Sequence, residues 1–339
     1  MSKKMTLREL SKELGLSVST VSKALNDSHE ISGETKERVQ HLAREYRYRP
    51  NMNAVNLRRG RQKNLGVILP NVLNFFFALV LTGIEETANA LGYNIICCMS
   101  DESYDKEVAA VQMLRDGGVS GMLLSLSEGT EKKGETAHLE ALQGFGIPVV
   151  LFDRVSEAIS CDKVIIDDFK AAYQATEHFI KTGCKHIALV TLLDSLGVGR
   201  LRAEGYRKCL EDNNIVVDED LIVKVVDKDL FEPMASNLLQ SKRVDAVLAL
   251  EEFAAVHMMM VARNLGFEVP KDISIIGFTN GMLPKYMTPT ITSVSQHGKF
   301  IGEKATRLLI DRIEMDGNHQ IPFQTEVVKS TIVQRESTL

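Results

Sequence analysis

Apolar positions in the first 46 residues recur at helical spacing and are broken by polar caps. Thr6-Leu7-Arg8-Glu9 has the form of a capping box, with Thr6 starting a helix and Glu9 reaching back; Leu7, Leu10 and Leu14 then share a face. Gly15 can supply a left-handed turn, and Ser17 can cap a second helix with Val21, Ala24 and Leu25 inward, ended by Asn26 and Asp27. Ser32 caps a third, whose inward positions are Val39, Leu42, Ala43 and Tyr46. Three short capped helices with so tight a turn between the first two predict an N-terminal all-α helix-turn-helix.

From Leu65 onward short apolar runs alternate with amphipathic stretches, the pattern of βαβ units and a parallel sheet. Predicted strands are 65–69, 93–99, 120–126, 147–152, 186–191, 221–226, 244–250 and 273–278, with a helix over Phe76–Ala90. The plan of 65–99 (strand, loop, helix, strand) returns in 186–226, which predicts two similar doubly wound α/β lobes meeting near residues 162–167. The expected division is 1–48 for the helical head, 49–63 for a hinge helix and linker, and 64–339 for the lobes. Lobe one is expected to hold about 64–163 plus 293–321, and lobe two about 164–292 plus 322–339. In the linker, Pro50 disfavours helix at Arg49, Asn51 can cap a run through Leu57, and Gly60 stops it. A helix of about two turns is marginal alone, so it is expected to form with DNA and a partner chain.

Composition adds mainly exclusions. With 339 residues, 44% hydrophobic and 25% charged, the chain can bury a core in two or three units, which sets aside disorder and fibrous classes. The longest apolar run, Phe75–Leu81, is far short of a bilayer span, and MSKKMTLREL lacks a secretory apolar region; the expected location is cytoplasmic, nucleoid-associated, with no membrane partner. Five cysteines without CxxC spacing fit buried thiols in a reducing compartment, with no disulfide framework and no zinc site. Charge changes the picture more. Residues 1–63 carry 14 Lys and Arg against 7 Asp and Glu, leaving 26 against 38 in the rest, a basic head of +7 on an acidic body of −12. Such a head suits a polyanion.

These residues resemble the lactose-repressor/galactose-repressor family of bacterial transcription regulators over nearly the whole chain. TLRELSKELGLSVSTVSKALND resembles the family's helix-turn-helix, YRPNMNAVNLRR its hinge helix, and LGVILPNVLNFFFALVLTGIEE the opening of its sensor. Further blocks follow in order: IPVVLFDR, GCKHIALV, RAEGY, VPKDISIIGF and PTITSVSQ. The resemblance implies a homodimer on a near-palindromic operator, with a two-lobed sensor related in fold to periplasmic sugar-binding proteins. It implies Leu57 as an apolar wedge in a minor-groove step, flanked by Asn53 and Ala54, with Arg58 opening a phosphate-binding run. Base readers fall on Val18, Ser19 and Lys23, and phosphate contacts on Thr6, Thr20, Ser22, Asn26 and Thr35. Val18 can offer only apolar contact and Ser19 discriminates weakly, so selectivity leans on Lys23 and DNA shape.

In the sensor, Asn74 and Phe75 follow the first strand, where doubly wound sheets bind ligands. Asp153 and Arg202 match the acid and base that hold effector polar groups in many relatives. Glu251-Glu252 stand where the family commonly has Asn-Asp, and Thr279-Asn280 where an Asp is common. The expected effector sites are thus Asn74, Phe75, Asp153, Arg202, Glu251 and Thr279, for a sugar or sugar derivative; an acidic ligand would meet Glu251 unfavourably. Catalysis is not expected: His138, His178, His186, His257 and His297 are scattered, and no GxSxG, Walker loop, metal-ligand spacing or cofactor motif occurs. A transport receptor of similar lobes would not need the basic head, and a sugar-modifying enzyme would need an acid/base pair that Asp153 and Arg202 do not make.

Overall fold

The computed structural model describes residues 7–25, 28, 30–46, 63–241, 243–279, 281–315 and 321–339. They fall into two units, one through residue 62 and one from residue 63. The expectations placed on Thr6, Asn26, Asp27, Asn53, Ala54, Leu57, Arg58 and Asn280, and the hinge helix itself, lie outside the described residues.

The first unit contains α1 (Leu7–Leu14), α2 (Val18–Leu25) and α3 (Gly33–Glu45). Gly15 turns the chain at φ +66, and the Ser17 hydroxyl accepts from the Thr20 amide at 3.0 Å, closing the first turn of α2. Leu10, Val21, Ala24, Val39 and Ala43 form the core, with Leu7, Leu14, Leu25 and Leu42 against its edge. One inward position differs from expectation. Tyr46 is exposed, because its hydroxyl donates to Glu13 at 2.9 Å and ties the end of α3 to α1 from outside.

The second unit holds two six-stranded sheets of the same order. Lobe one contains β1 (Asn64–Leu69), α4 (Phe75–Ala90), β2 (Asn94–Met99), α5 (Tyr104–Asp116), β3 (Gly121–Leu124), α6 (Glu128–Lys133), α7 (Ala137–Gly144), β4 (Val149–Phe152) and β5 (Asp162–Ile166). The chain then crosses through α8 (Asp168–Lys181) to lobe two: β6 (Ile187–Thr191), α9 (Gly197–Asp212), β7 (Ile222–Lys224), α10 (Phe231–Ser241), β8 (Ala246–Ala249), α11 (Glu252–Asn264), β9 (Ser274–Phe278), α12 (Leu283–Tyr286) and β10 (Thr292–Ser295). It returns through α13 (Gly298–Glu314) to β11 (Thr325–Val328) and crosses a third time to β12 (Thr331–Val333). The sheets run β2-β1-β3-β4-β5-β11 and β7-β6-β8-β9-β10-β12. Strand by strand they correspond until the last, where β11 is parallel to β5 and β12 antiparallel to β10.

Central strands buried on both faces (β1, β3, β4, β6, β8 and β9) account for most of the continuous apolar runs. Leu65, Val67 and Leu69 of β1 pack on Phe76, Phe77 and Val80 of α4 with Ile301 and Leu309 of α13, while Ile68 faces Val111 and Leu114 of α5. Helix α4 lies against α13 backbone to backbone: a Cβ on Gly83 would sit 2.0 Å from the Lys299 carbonyl oxygen, and one on Gly302 2.1 Å from that of Val80. Lobe two repeats this between α9 and α8, where a Cβ on Gly205 would sit 2.1 Å from the Phe169 carbonyl oxygen.

The crossings fall elsewhere than the sequence pattern implies. Residues 164–166 and 325–328 pair in the sheet of lobe one, and 293–295 in that of lobe two. The reason is chemical: β5 opens on Asp162 and Lys163, which read as surface, yet Asp162 is buried and held by Arg312 of α13 at 2.6 and 2.8 Å. Strand β7 is shorter than the apolar run 221–226, ending at Lys224 and leaving Val226 fully in solvent.

Candidate functional site

In the helical unit, α2 presents Ser19 and Lys23 to solvent, with Val18, Thr20 and Ser22 half-buried beside them and Thr35 in the first turn of α3. Lys23 is ion-paired with Glu30. The Thr20 hydroxyl shares a hydrogen bond with that of Ser17 at 2.8 Å, and Thr35 with Ser32 at 2.9 Å. The cap residues Ser17 and Ser32 thus fix two of the expected phosphate-contacting hydroxyls.

The second site lies where the carboxyl ends of both sheets meet. Asp153 follows β4 in the left-handed region, φ +61, and is buried. Burial pushes its carboxyl up to about 6; Arg154 and Arg202 act against this, and Asp168 and Glu131 add to it. Arg202, on α9, is 3% exposed. Its Nε donates to Asp168 at 2.7 Å, its Nη1 to the Leu250 carbonyl at 2.7 Å, and its guanidinium lies 4.2 Å from the centre of the Phe278 ring. Glu251 follows β8. Its Oε1 accepts from the Leu192 amide at 3.2 Å, while Oε2 is buried without a hydrogen-bond partner. Burial raises this carboxyl to about 8, against the pull of the Leu192 amide, Arg202 and Lys228.

Asp153 and Glu251 are therefore each within electrostatic reach of Arg202, and all three are placed by a strand end or the helix after it. The remaining expected residues sit at the same ends in other roles. The Asn74 side chain accepts from the Phe76 amide at 3.0 Å and caps α4; Phe75 is half-buried beside it, whereas Phe76 and Phe77 belong to the core. The Thr279 hydroxyl donates to Glu252 and accepts from the Gly281 amide at 2.9 Å.

Asp168 was not among the expected site residues. Of the two acids Asp167-Asp168, Asp167 caps α8 through the Lys170 amide at 2.9 Å, so Asp168 is left to face inward. Two acids at a helix start, where one cap suffices, carried that signal. Also unforeseen are contacts between the lobes: Glu128 accepts from the Ser195 hydroxyl, and Glu131 from the Gly197 amide at 2.7 Å. Among the described residues no group of His, Cys, Asp and Glu could hold a metal ion, and no helix is long and apolar enough to cross a membrane.

A family model described as bacterial regulatory proteins, lacI family, matches residues 6–51, and one described as a periplasmic binding protein-like domain matches 176–338. Catabolite control protein A of Priestia megaterium is 30% identical, over 96% of this chain and 99% of that protein. The transcriptional regulator CelR in complex with cellobiose is 25% identical with a TM-score of 0.71, covering 98% of this chain and 99% of that one. The lac repressor dimer bound to operator and the anti-inducer ONPF is 21% identical and matches the fold with a TM-score of 0.85, covering 99% and 100%. These are regulators and not enzymes. Helical head, paired parallel sheets and full-length relatives agree, and the chain belongs to the LacI family of helix-turn-helix transcriptional regulators.

Proposed function

We propose that this regulator is a repressor that binds a near-palindromic operator as a homodimer and is controlled by an uncharged sugar or sugar derivative held between its lobes. Val18, Ser19 and Lys23 read bases; Thr6, Thr20, Ser22, Asn26, Thr35 and Arg58 hold phosphates. Leu57 enters a minor-groove step at the operator centre, with Asn53 and Ala54 beside it. In this reading residues 1–48 are the DNA-binding domain, 49–63 the hinge and 64–339 the sensor. DNA takes Lys23 from Glu30, an exposed pair that costs little to break.

The observation that carries the sensor half is the meeting of Asp153, Arg202 and Glu251 at the strand ends of both sheets. A ligand there bonds to both lobes at once, so it favours one lobe arrangement and, through it, one hinge spacing. Each ligand then shifts the other's affinity by the same factor, whether the sign is induction or corepression. Two of the five N–H donors of Arg202 are held by Asp168 and Leu250, and the buried polar atom left without a partner at these strand ends is Glu251 Oε2. That carboxyl suits a sugar hydroxyl, and the acids around Arg202 weigh against a phosphate or an acid.

Selection of random duplex DNA by the full-length protein at a stated moderate salt tests the DNA half. A palindrome with half-sites about one helical turn apart is the expected product. A recovered site without two-fold symmetry, or none with or without added sugars, overturns it. Titrating that operator complex with neutral mono- and disaccharides, cellobiose among them, and with their phosphates tests the sensor half. A response to phosphates alone contradicts it.

A further inference from the structure

The helix that carries Arg202 does not cap itself. The N-cap residue of α9 is Leu196, whose side chain can accept no hydrogen bond, although a helix start leaves four amides needing partners. The preceding turn packs tightly on this start, where a Cβ on Gly199 would lie 2.0 Å from the Leu193 carbonyl oxygen. The acceptor comes from the other lobe. Glu131 Oε2 takes the Gly197 amide at 2.7 Å, and Glu128 of the same short helix takes the Ser195 hydroxyl.

Helix α6, which carries both acids, is fixed to lobe one at its root. Ser127 caps it, and buried Glu107 accepts from the Ser127 amide at 2.6 Å, the Thr130 hydroxyl at 2.8 Å and His138 at 2.9 Å. Glu102 takes the Glu128 amide at 2.9 Å and Arg154 at 2.7 Å. The arm therefore cannot follow α9 if the lobes part. Arg202 stands five residues beyond Gly197, about 7.5 Å along the helix, on the same rigid element.

We propose that Glu131 is a helix cap supplied across the cleft, so that closing the lobes and completing the helix that positions Arg202 are one event. Glu131 is a positioning residue for the sensor. The inference rests on the cleft being the sensing site, but its physical content, a cap that exists only when the lobes are together, does not depend on which ligand binds.

Hydrogen exchange on the full-length protein, with neither DNA nor effector, tests it through two variants acting from opposite sides. Glu131→Ala removes the acceptor from lobe one. Gly197→Pro removes the donor from lobe two at a position, the first of the helix, where proline is well tolerated. Leu196 before it is already extended, φ −96 and ψ 147, as a residue preceding proline must be. Both variants are expected to speed exchange in residues 198–205 about fivefold, the ~1 kcal/mol worth of a typical cap.

The decisive reading is in the other lobe. Gly197→Pro alters the chain only in lobe two, yet residues 149–155 of lobe one, which include Asp153, are expected to exchange faster as well. Glu131→Gln, which keeps an acceptor oxygen, is expected to restore most of the protection. Changes confined to 198–205 would make Glu131 a local cap and overturn the coupling; no change in either segment would overturn the cap itself. Either failure leaves the repressor reading intact, since that reading is judged by operator selection.

Discussion

The two lobes share one strand order and differ in how the same stations are equipped. After the first strand of lobe one, α4 is capped by its own Asn74; after the first strand of lobe two, α9 begins at Leu196 and takes its partner from Glu131 of the other lobe. After the third strand, Ser127 caps α6 through the Thr130 amide, whereas Glu251 leaves α11 without a side-chain cap and turns to the Leu192 amide. Lobe one caps α4 and α6 with its own side chains and extends an acidic arm. Lobe two holds a buried cation and an acid with one oxygen unmatched. A duplicated scaffold thus brings two sets of strand ends together, and departures from local self-sufficiency mark where one half depends on the other or on a ligand.

Breaking the buried pair of lobe two is expected to have the largest effect. Arg202→Ala leaves Asp168, itself 4% exposed, without its partner and the Leu250 carbonyl without its donor. A loss of ~3–5 kcal/mol in denaturant melts is expected, because the charge left behind carries the full cost of burial. Replacing both partners, Arg202→Met with Asp168→Leu, is expected to recover most of that stability and none of the effector response. A single variant as stable as the parent would mean the pair is not buried as described.

The next effect depends on pH. Glu251 has a folded-state pKa raised to about 8 from 4.5, so between those values the folded chain keeps a proton that the unfolded chain has lost. Stability from this group is full below about pH 4.5 and is lost as pH rises through 8, a downward slope of at most about 1.4 kcal/mol per pH unit. Asp153 of lobe one, raised from 3.8 to about 6, acts with the same sign in a lower window. Glu251→Gln, which mimics the protonated acid, is expected to flatten the upper part of the curve and leave the lower part. If the slope between pH 6 and 8 survives the substitution, another group owns it.

The parts of this architecture that were legible in the sequence are those governed by periodicity. The three head helices, the alternating strands and helices and the repeated plan all follow from where apolar residues recur. Strand β5 was missed because Asp162-Lys163 look like surface until Arg312, 150 positions away, is seen to neutralise Asp162. Strand β10, Thr292–Ser295, was missed because its polar side chains are satisfied by the C-terminal segment, as where Thr292 meets Thr338 at 2.9 Å. At the cleft, Asp153 and Arg202 were found through resemblance, but Asp168 and Glu131 answer to partners in other elements. Spacing cannot report a hydrogen bond between residues 66 apart, such as Gly197 and Glu131.

The smallest effect sharpens the contrast most directly. Asn74→Ala removes the cap of α4, the lobe-one counterpart of the Glu131 contact, and leaves the Phe76 amide without its 3.0 Å acceptor. The cost is expected to be ~1 kcal/mol, the ordinary worth of an N-cap, and of the same order as Glu131→Ala. The two substitutions differ in reach and not in size. Asn74 and the amide it caps lie on one chain segment within one lobe, so its loss frees the first turn of α4 and nothing opposite. Exchange is expected to rise in residues 76–82 while 198–205 of lobe two stays protected. Were protection of α9 also to fall, the first turn of α4 would itself take part in holding the lobes together, and the division between a self-sufficient lobe and a dependent one would not hold.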